Sequence, residues 1–172
     1  MLDNSSKFLS STRKKTRNIN KSDNWNIKSI AIANKTSGLI RAVAIEHTCK
    51  NPPLSELEKF HDKFSRFSDE GDPALFLAED RRFHALLRDS AGNRFLNLTL
   101  DNVADLIHLC RHYSIEDVRL SETCHEHIQV IEALLARDCP KAMEAMRFHL
   151  DKSRQALLSY INRHPELSQL EE

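Results

Sequence analysis

Glycine and proline are scarce, at 3 and 5 of 172 residues. A β sandwich or barrel of this length turns often and needs both residues at its turns, so their shortage excludes that class and favours long helices. No apolar run approaches the roughly 18–20 residues needed to cross a bilayer. The N-terminus is polar and basic and lacks the apolar segment of a secretory signal. The four cysteines, Cys49, Cys110, Cys124 and Cys139, contain no Cys-x-x-Cys spacing. They are expected to be reduced thiols of a cytoplasmic protein and not a disulfide framework. What the chain does have is 40% apolar residues, enough for one core, and nine histidines in a helical protein with 25 basic and 25 acidic residues.

Charge is unevenly placed. Residues 1–28 hold Lys7, Arg13, Lys14, Lys15, Arg17, Lys21 and Lys28 against Asp3 and Asp23. With its Ser and Asn content, the stretch 1–27 reads as a mobile basic tail. A folded unit is expected over 28–162, followed by an acidic C-terminal tail at 163–172. Within that unit, residues 28–49 suggest only a short helix, carried by Leu39, Ile40, Val43 and Ile45 and weakened by Gly38. Pro52 and Pro53 then break the chain.

Beyond residue 54 the signals sharpen. Leu57, Phe60, Phe64 and Phe67 recur at helical spacing as one apolar stripe. Asp72 and Pro73 suit the N-cap and first position of a second helix, which passes Phe76, Phe83 and Leu87 and stops at Ala91-Gly92-Asn93. A third carries Leu96, Leu100, Val103 and Ile107 to about Tyr113. Ser114 can cap a fourth, which runs to about Arg137. Asp138 and Pro140 repeat the cap-and-proline device before a fifth, passing Met143, Met146, Leu150 and Leu157 to about Ile161. No stretch alternates with period two. The fold class is therefore all-α: an antiparallel bundle of about six helices with short connections.

Asp80 and His84 stand four apart and so share a helix face, close enough to grip one cation. Alone, such a pair is better explained by a surface hydrogen bond. His127, however, lies on the stripe Leu120, Cys124, His127, Ile131 and Leu134, and His149 follows Ala142 and Met146 on an inward flank. Imidazoles directed into a bundle need polar partners. A divalent metal would satisfy all four groups at once, with Zn²⁺ first and Ni²⁺, Mn²⁺ or Fe²⁺ as alternatives. Hydrogen bonds and water within a purely structural cluster are the competing explanation. Other constellations are weaker: His108 and His112 share a polar face with Asp101 and Asp105, His125 points outward, and His61-Asp62 has no correctly spaced upstream histidine. Nothing resembles a nucleophile elbow, a Walker loop or a dinucleotide fingerprint.

The run DPALFLAEDRRFH from Asp72 to His84, with Ala91-Gly92-Asn93 after it, resembles the C-terminal effector (FCD) domain of GntR-family transcription regulators of the FadR subfamily. Glu126-His127 with Ile131, then Arg137-Asp138, Ala142, Met146 and His149-Leu150, match that domain's last two helices, and the likeness covers about residues 39–161. It implies a helical bundle, usually dimeric, in which Asp80, His84, His127 and His149 hold the metal and a small carboxylate fills its open positions. The family's winged helix-turn-helix would need about 70 residues upstream, and about 27 polar ones stand there, so DNA is expected to be met only indirectly or through a missing N-terminal domain. The family's first effector-domain helix usually carries an Arg-x-x-x-Glu element, which residues 28–37 lack.

The expected function is thus a metal-dependent sensor of a small organic acid, and not an enzyme. Thr99 and Asn102 are candidate polar groups of the effector pocket. A metalloenzyme using the same three-His/one-Asp centre and a purely structural dimerisation module are the alternatives.

Overall fold

The computed structural model describes residues 27–70, 72–101 and 119–163. Among them are six helical segments and no strand: α1 (Ile27–Lys50), α2 (Leu54–Glu70), α3 (Pro73–Ser90), α4 (from 94 to the described limit at 101), α5 (Leu120–Leu135) and α6 (Cys139–Arg163). The all-α expectation holds. The basic tail, the acidic tail beyond 163, the Ser114 cap, His108, His112 and Asn102 lie outside the described residues.

Several boundaries follow local chemistry. Asp72 accepts from the backbone N–H groups of Ala74 (2.7 Å) and Leu75 (3.4 Å), and Pro73 opens α3 where no intrahelical donor is needed. Gly92 closes that helix with φ +63°, a left-handed conformation that costs glycine nothing. Asn93 then caps α4 by accepting from Phe95 and Leu96. Asp138 accepts from the Lys141 N–H and starts α6.

The first helix departs from expectation. It runs unbroken for 24 residues through Gly38 instead of forming a short segment. Packing supplies what propensity lacks. Ala42, Ala44, Ile45 and Cys49 are buried, and α1 lies along α6. A Cβ added at Gly38 would meet Leu150 Cδ1 at 3.7 Å, ordinary contact, and φ there is not left-handed. Gly38→Ala is therefore expected to stabilise the protein by about 0.5–1 kcal/mol, read as a higher denaturant midpoint. A lower midpoint would mean that α1 and α6 need the missing methyl.

The core is the meeting of α2 with α5, α1 with α6, and α5 with α6, with α1 also reaching α3. Leu57, Phe64, Phe76, Phe83, Ile131, Leu134 and Met146 fill it. The Thr48 hydroxyl donates to the Leu87 carbonyl at 2.8 Å and fastens α1 to α3 inside this core.

The expectation of reduced thiols is overturned for two cysteines. Cys49, at the end of α1, and Cys139, which opens α6, form a disulfide with their Cα atoms 5.6 Å apart. Ninety positions separate them in sequence, so no local spacing betrays the pair. Cys124 is a buried free thiol, pushed up to about 12 by burial and by the Asp80 carboxylate, and so stays protonated.

Candidate metal centre

Three helices bring four expected residues together. Asp80 and His84 occupy successive turns of the buried face of α3, His127 the centre of α5, and His149 the inward face of α6. All four are buried, His127 completely. Nitrogen atoms of His84, His127 and His149, one from each, lie within 4.8 Å of one another. Asp80 Oδ1 is 3.5 Å from His84 Nε2 and 3.4 Å from His127 Nε2. Three imidazoles with a neighbouring carboxylate are a donor set that suits a divalent metal of borderline softness.

Around the centre the two sides differ. Phe64, Phe76 and Phe83 surround the His127 ring, with centroids 4.7, 6.1 and 5.0 Å away, and make a dry wall. On the other side, His84 borders a cavity of about 270 Å³ lined by Arg41, Arg81, Arg88, Leu100 and Met146 among others. Arg88 is held at its rim by Asp89 (3.0 Å) and Asp101 (2.5 Å). Three guanidiniums against one carboxylate favour an anionic guest.

Two outer residues escaped the sequence reading. Glu126, buried beside His127, accepts from His149 Nδ1 at 2.9 Å and forms an ion pair with Arg119. Burial pushes its carboxyl up to about 7, against the pull of Arg119 and Lys152. As a carboxylate it leaves His149 Nε2 without a proton and turned toward the other imidazoles, the usual support for a ligating histidine. A signal existed: Glu126 shares an otherwise small or apolar flank with Thr123, Val130 and Ala133. The second is Arg41, whose Nη1 lies 3.2 Å from His84 Nδ1. It stands just beyond residues 28–37, which contain no arginine.

Thr99, the pocket candidate within the described part of α4, fares differently. Thr99 is exposed and donates to the Phe95 carbonyl at 2.8 Å; Leu100 and Asp101 line the cavity from that helix instead. His125 is exposed, as expected, and donates to the Ser121 carbonyl.

A model of the FCD domain family matches residues 38–152. The chain belongs to the FCD domain family. The metal-free FCD domain of TM0439 has the same fold, with a TM-score of 0.71 at 19% identity over 81% of this chain and 98% of that one. The curated protein named "Probable HTH-type transcriptional regulator LgoR", from Escherichia coli (strain K12), is 30% identical over 92 residues. Those residues are 51% of this chain, which thus spans 30% of that relative's length. Among the described residues no helix is long and apolar enough to cross a membrane.

Proposed function

We propose that this FCD domain is the ligand-sensing and dimerisation part of a cytoplasmic GntR/FadR-type transcription regulator. Asp80, His84, His127 and His149 hold one divalent metal, with Zn²⁺ the best fit. A small organic carboxylate binds beside it and completes the ion's coordination. The observation that carries the reading is the meeting of three buried imidazoles from three helices, two of them beside the buried Asp80 carboxylate.

When bound, the ion supplies a concentrated positive charge for a carboxylate in a low-dielectric site. The chain's own residues do the rest. The phenylalanine wall keeps water from His127. Glu126 orients His149. Arg41 and Arg81, on the cavity side, offer donors for the part of the acid that the ion does not reach. Binding of the acid would favour one arrangement of a homodimer and so reposition DNA-reading domains carried elsewhere in the regulator. The site binds its acid and releases it unchanged.

The test is metal analysis of tag-free protein followed by thermal melts with di- and tricarboxylates, each with and without Zn²⁺. Ligands that bind the native state raise the melting temperature through mass action. The acid is expected to raise it only in metal-loaded protein. Protein that stays metal-free after exposure to Zn²⁺, or an acid response independent of the ion, would remove the proposal.

A further inference from the structure

We propose that the bond between Cys49 and Cys139 is a thiol–disulfide exchange site for small thiols, and that opening it loosens α1 from the bundle and with it one wall of the arginine-lined cavity. The inference rests on the cytoplasmic reading above, in which small thiols such as glutathione surround the chain. Disulfides that form in that compartment are usually transient and redox-sensing. The two sulfurs are unequally placed. Cys49 is 1% exposed, whereas Cys139 is half-buried at the start of α6. An incoming thiolate therefore meets Cys139 first, and bonds that solvent reaches in this way are the labile class.

The exchange balances in two steps. The small thiolate bonds to Cys139 Sγ, the Cys49–Cys139 bond breaks, and Cys49 leaves with the electron pair and takes up a proton. A second small thiolate attacks the small-molecule sulfur of that mixed disulfide and releases Cys139, which is protonated in turn. Two small thiols are thereby oxidised to one small disulfide, and the protein bond is reduced to two thiols. The same small disulfide, in excess, runs both steps backwards.

The position of the bond makes α1 the element that responds. Cys49 is joined to Cys139, and Gly38, eleven residues back along α1, lies against Leu150, eleven residues forward along α6. The two helices are therefore antiparallel, and the bond fixes their register at one end. Between those points α1 buries Ala42, Ala44 and Ile45, of which only Ile45 is large. Small side chains gain little from burial, so a covalent tie carries much of the hold on this helix. Arg41, Ala44 and Ile45 also line the cavity beside His84, and a looser α1 leaves that wall less fixed.

The experiment equilibrates the folded full chain, without metal, in mixtures of reduced and oxidised glutathione at neutral pH. Acid-quenched samples are alkylated and weighed, and hydrogen exchange is followed in the oxidised and reduced forms. Glutathione is expected to open the bond in folded wild type within the range of cytoplasmic poise, and oxidised glutathione to restore it. Cys49→Ser is expected to collect glutathione at Cys139, and Cys139→Ser to leave Cys49 unmodified. On reduction, amides from Ala42 to Cys49 should exchange about tenfold faster relative to those of α5. A bond that survives every mixture would overturn the site, as would cysteines that never pair. Glutathione on Cys49 in folded Cys139→Ser would overturn attack at Cys139. Equal acceleration in α1, α5 and α6 would overturn the loosening, because a staple that stabilises the whole fold evenly gives that result. The wild-type data decide the matter even if a variant fails to fold. None of these readouts uses Zn²⁺, so the site and the metal centre stand or fall separately.

Discussion

Alanine at His127 is expected to abolish stoichiometric Zn²⁺ binding while leaving the helical content in place. Free energies of about 10–16 kcal/mol for four-ligand zinc sites divide into about 3 kcal/mol per ligand. Losing one donor then weakens binding by roughly a hundredfold or more. His127 should show the largest loss because it is the most enclosed of the three imidazoles. No water can easily replace its nitrogen behind Phe64, Phe76 and Phe83. The fold should survive, since a methyl among phenylalanines buries no polar atom. Asp80→Asn, close in shape, should weaken the ion more mildly while keeping the packing. Dialysed protein analysed for metal, beside a circular dichroism melt of each variant, checks this. Wild-type metal content in folded His127→Ala would take that residue out of the centre.

Breaking the disulfide between Cys49 and Cys139 is expected to lower stability by about 2–4 kcal/mol. The bond closes a loop 90 positions long and removes many conformations from the unfolded chain. For a chain of this size each kcal/mol corresponds to about 2–4 °C, so reductant should lower the melting temperature by roughly 5–15 °C. Cys49→Ser should melt low with or without reductant, which separates the bond from other effects of the reagent. Cys49 is buried, so thiol-specific reagents should reach it only after reduction and unfolding. Identical melts in both conditions, with every cysteine reactive in unreduced unfolded protein, would show that the bond does not form.

Much of this arrangement is legible in the chain because it depends on periodicity. The Leu57, Phe60, Phe64 and Phe67 stripe faces the core as its spacing demands, and Asp72 with Pro73 opens α3 as cap chemistry demands. His127 and His149 point inward for the same reason, each lying on an apolar face. What stayed hidden depends on contacts between distant segments. The first helix shows little amphipathic pattern because its buried face uses small residues such as Ala42 and Ala44. Its length and the role of Arg41 emerge only when α3 and α6 are beside it. The partnership of Cys49 with Cys139 is set by where two helix ends meet. Glu126 adjoins His127 in sequence, but one residue along a helix turns a side chain by about 100°, and its role shows only in its contact with His149 on α6.

The ring of phenylalanines about His127 has a consequence for traffic. Phe64, which helps build it, comes from α2, a helix that offers the centre no nitrogen or oxygen among the four. Its ring and its neighbours seal one approach, so the proposed ion and acid would have to arrive from the arginine side, past His84. The last imidazole to be reached is the deepest, and the first doorway a guest meets carries positive charge. With the ion and acid proposed above, such a route would admit the cation most readily in the company of the anion, and it would make departure of the two similarly linked.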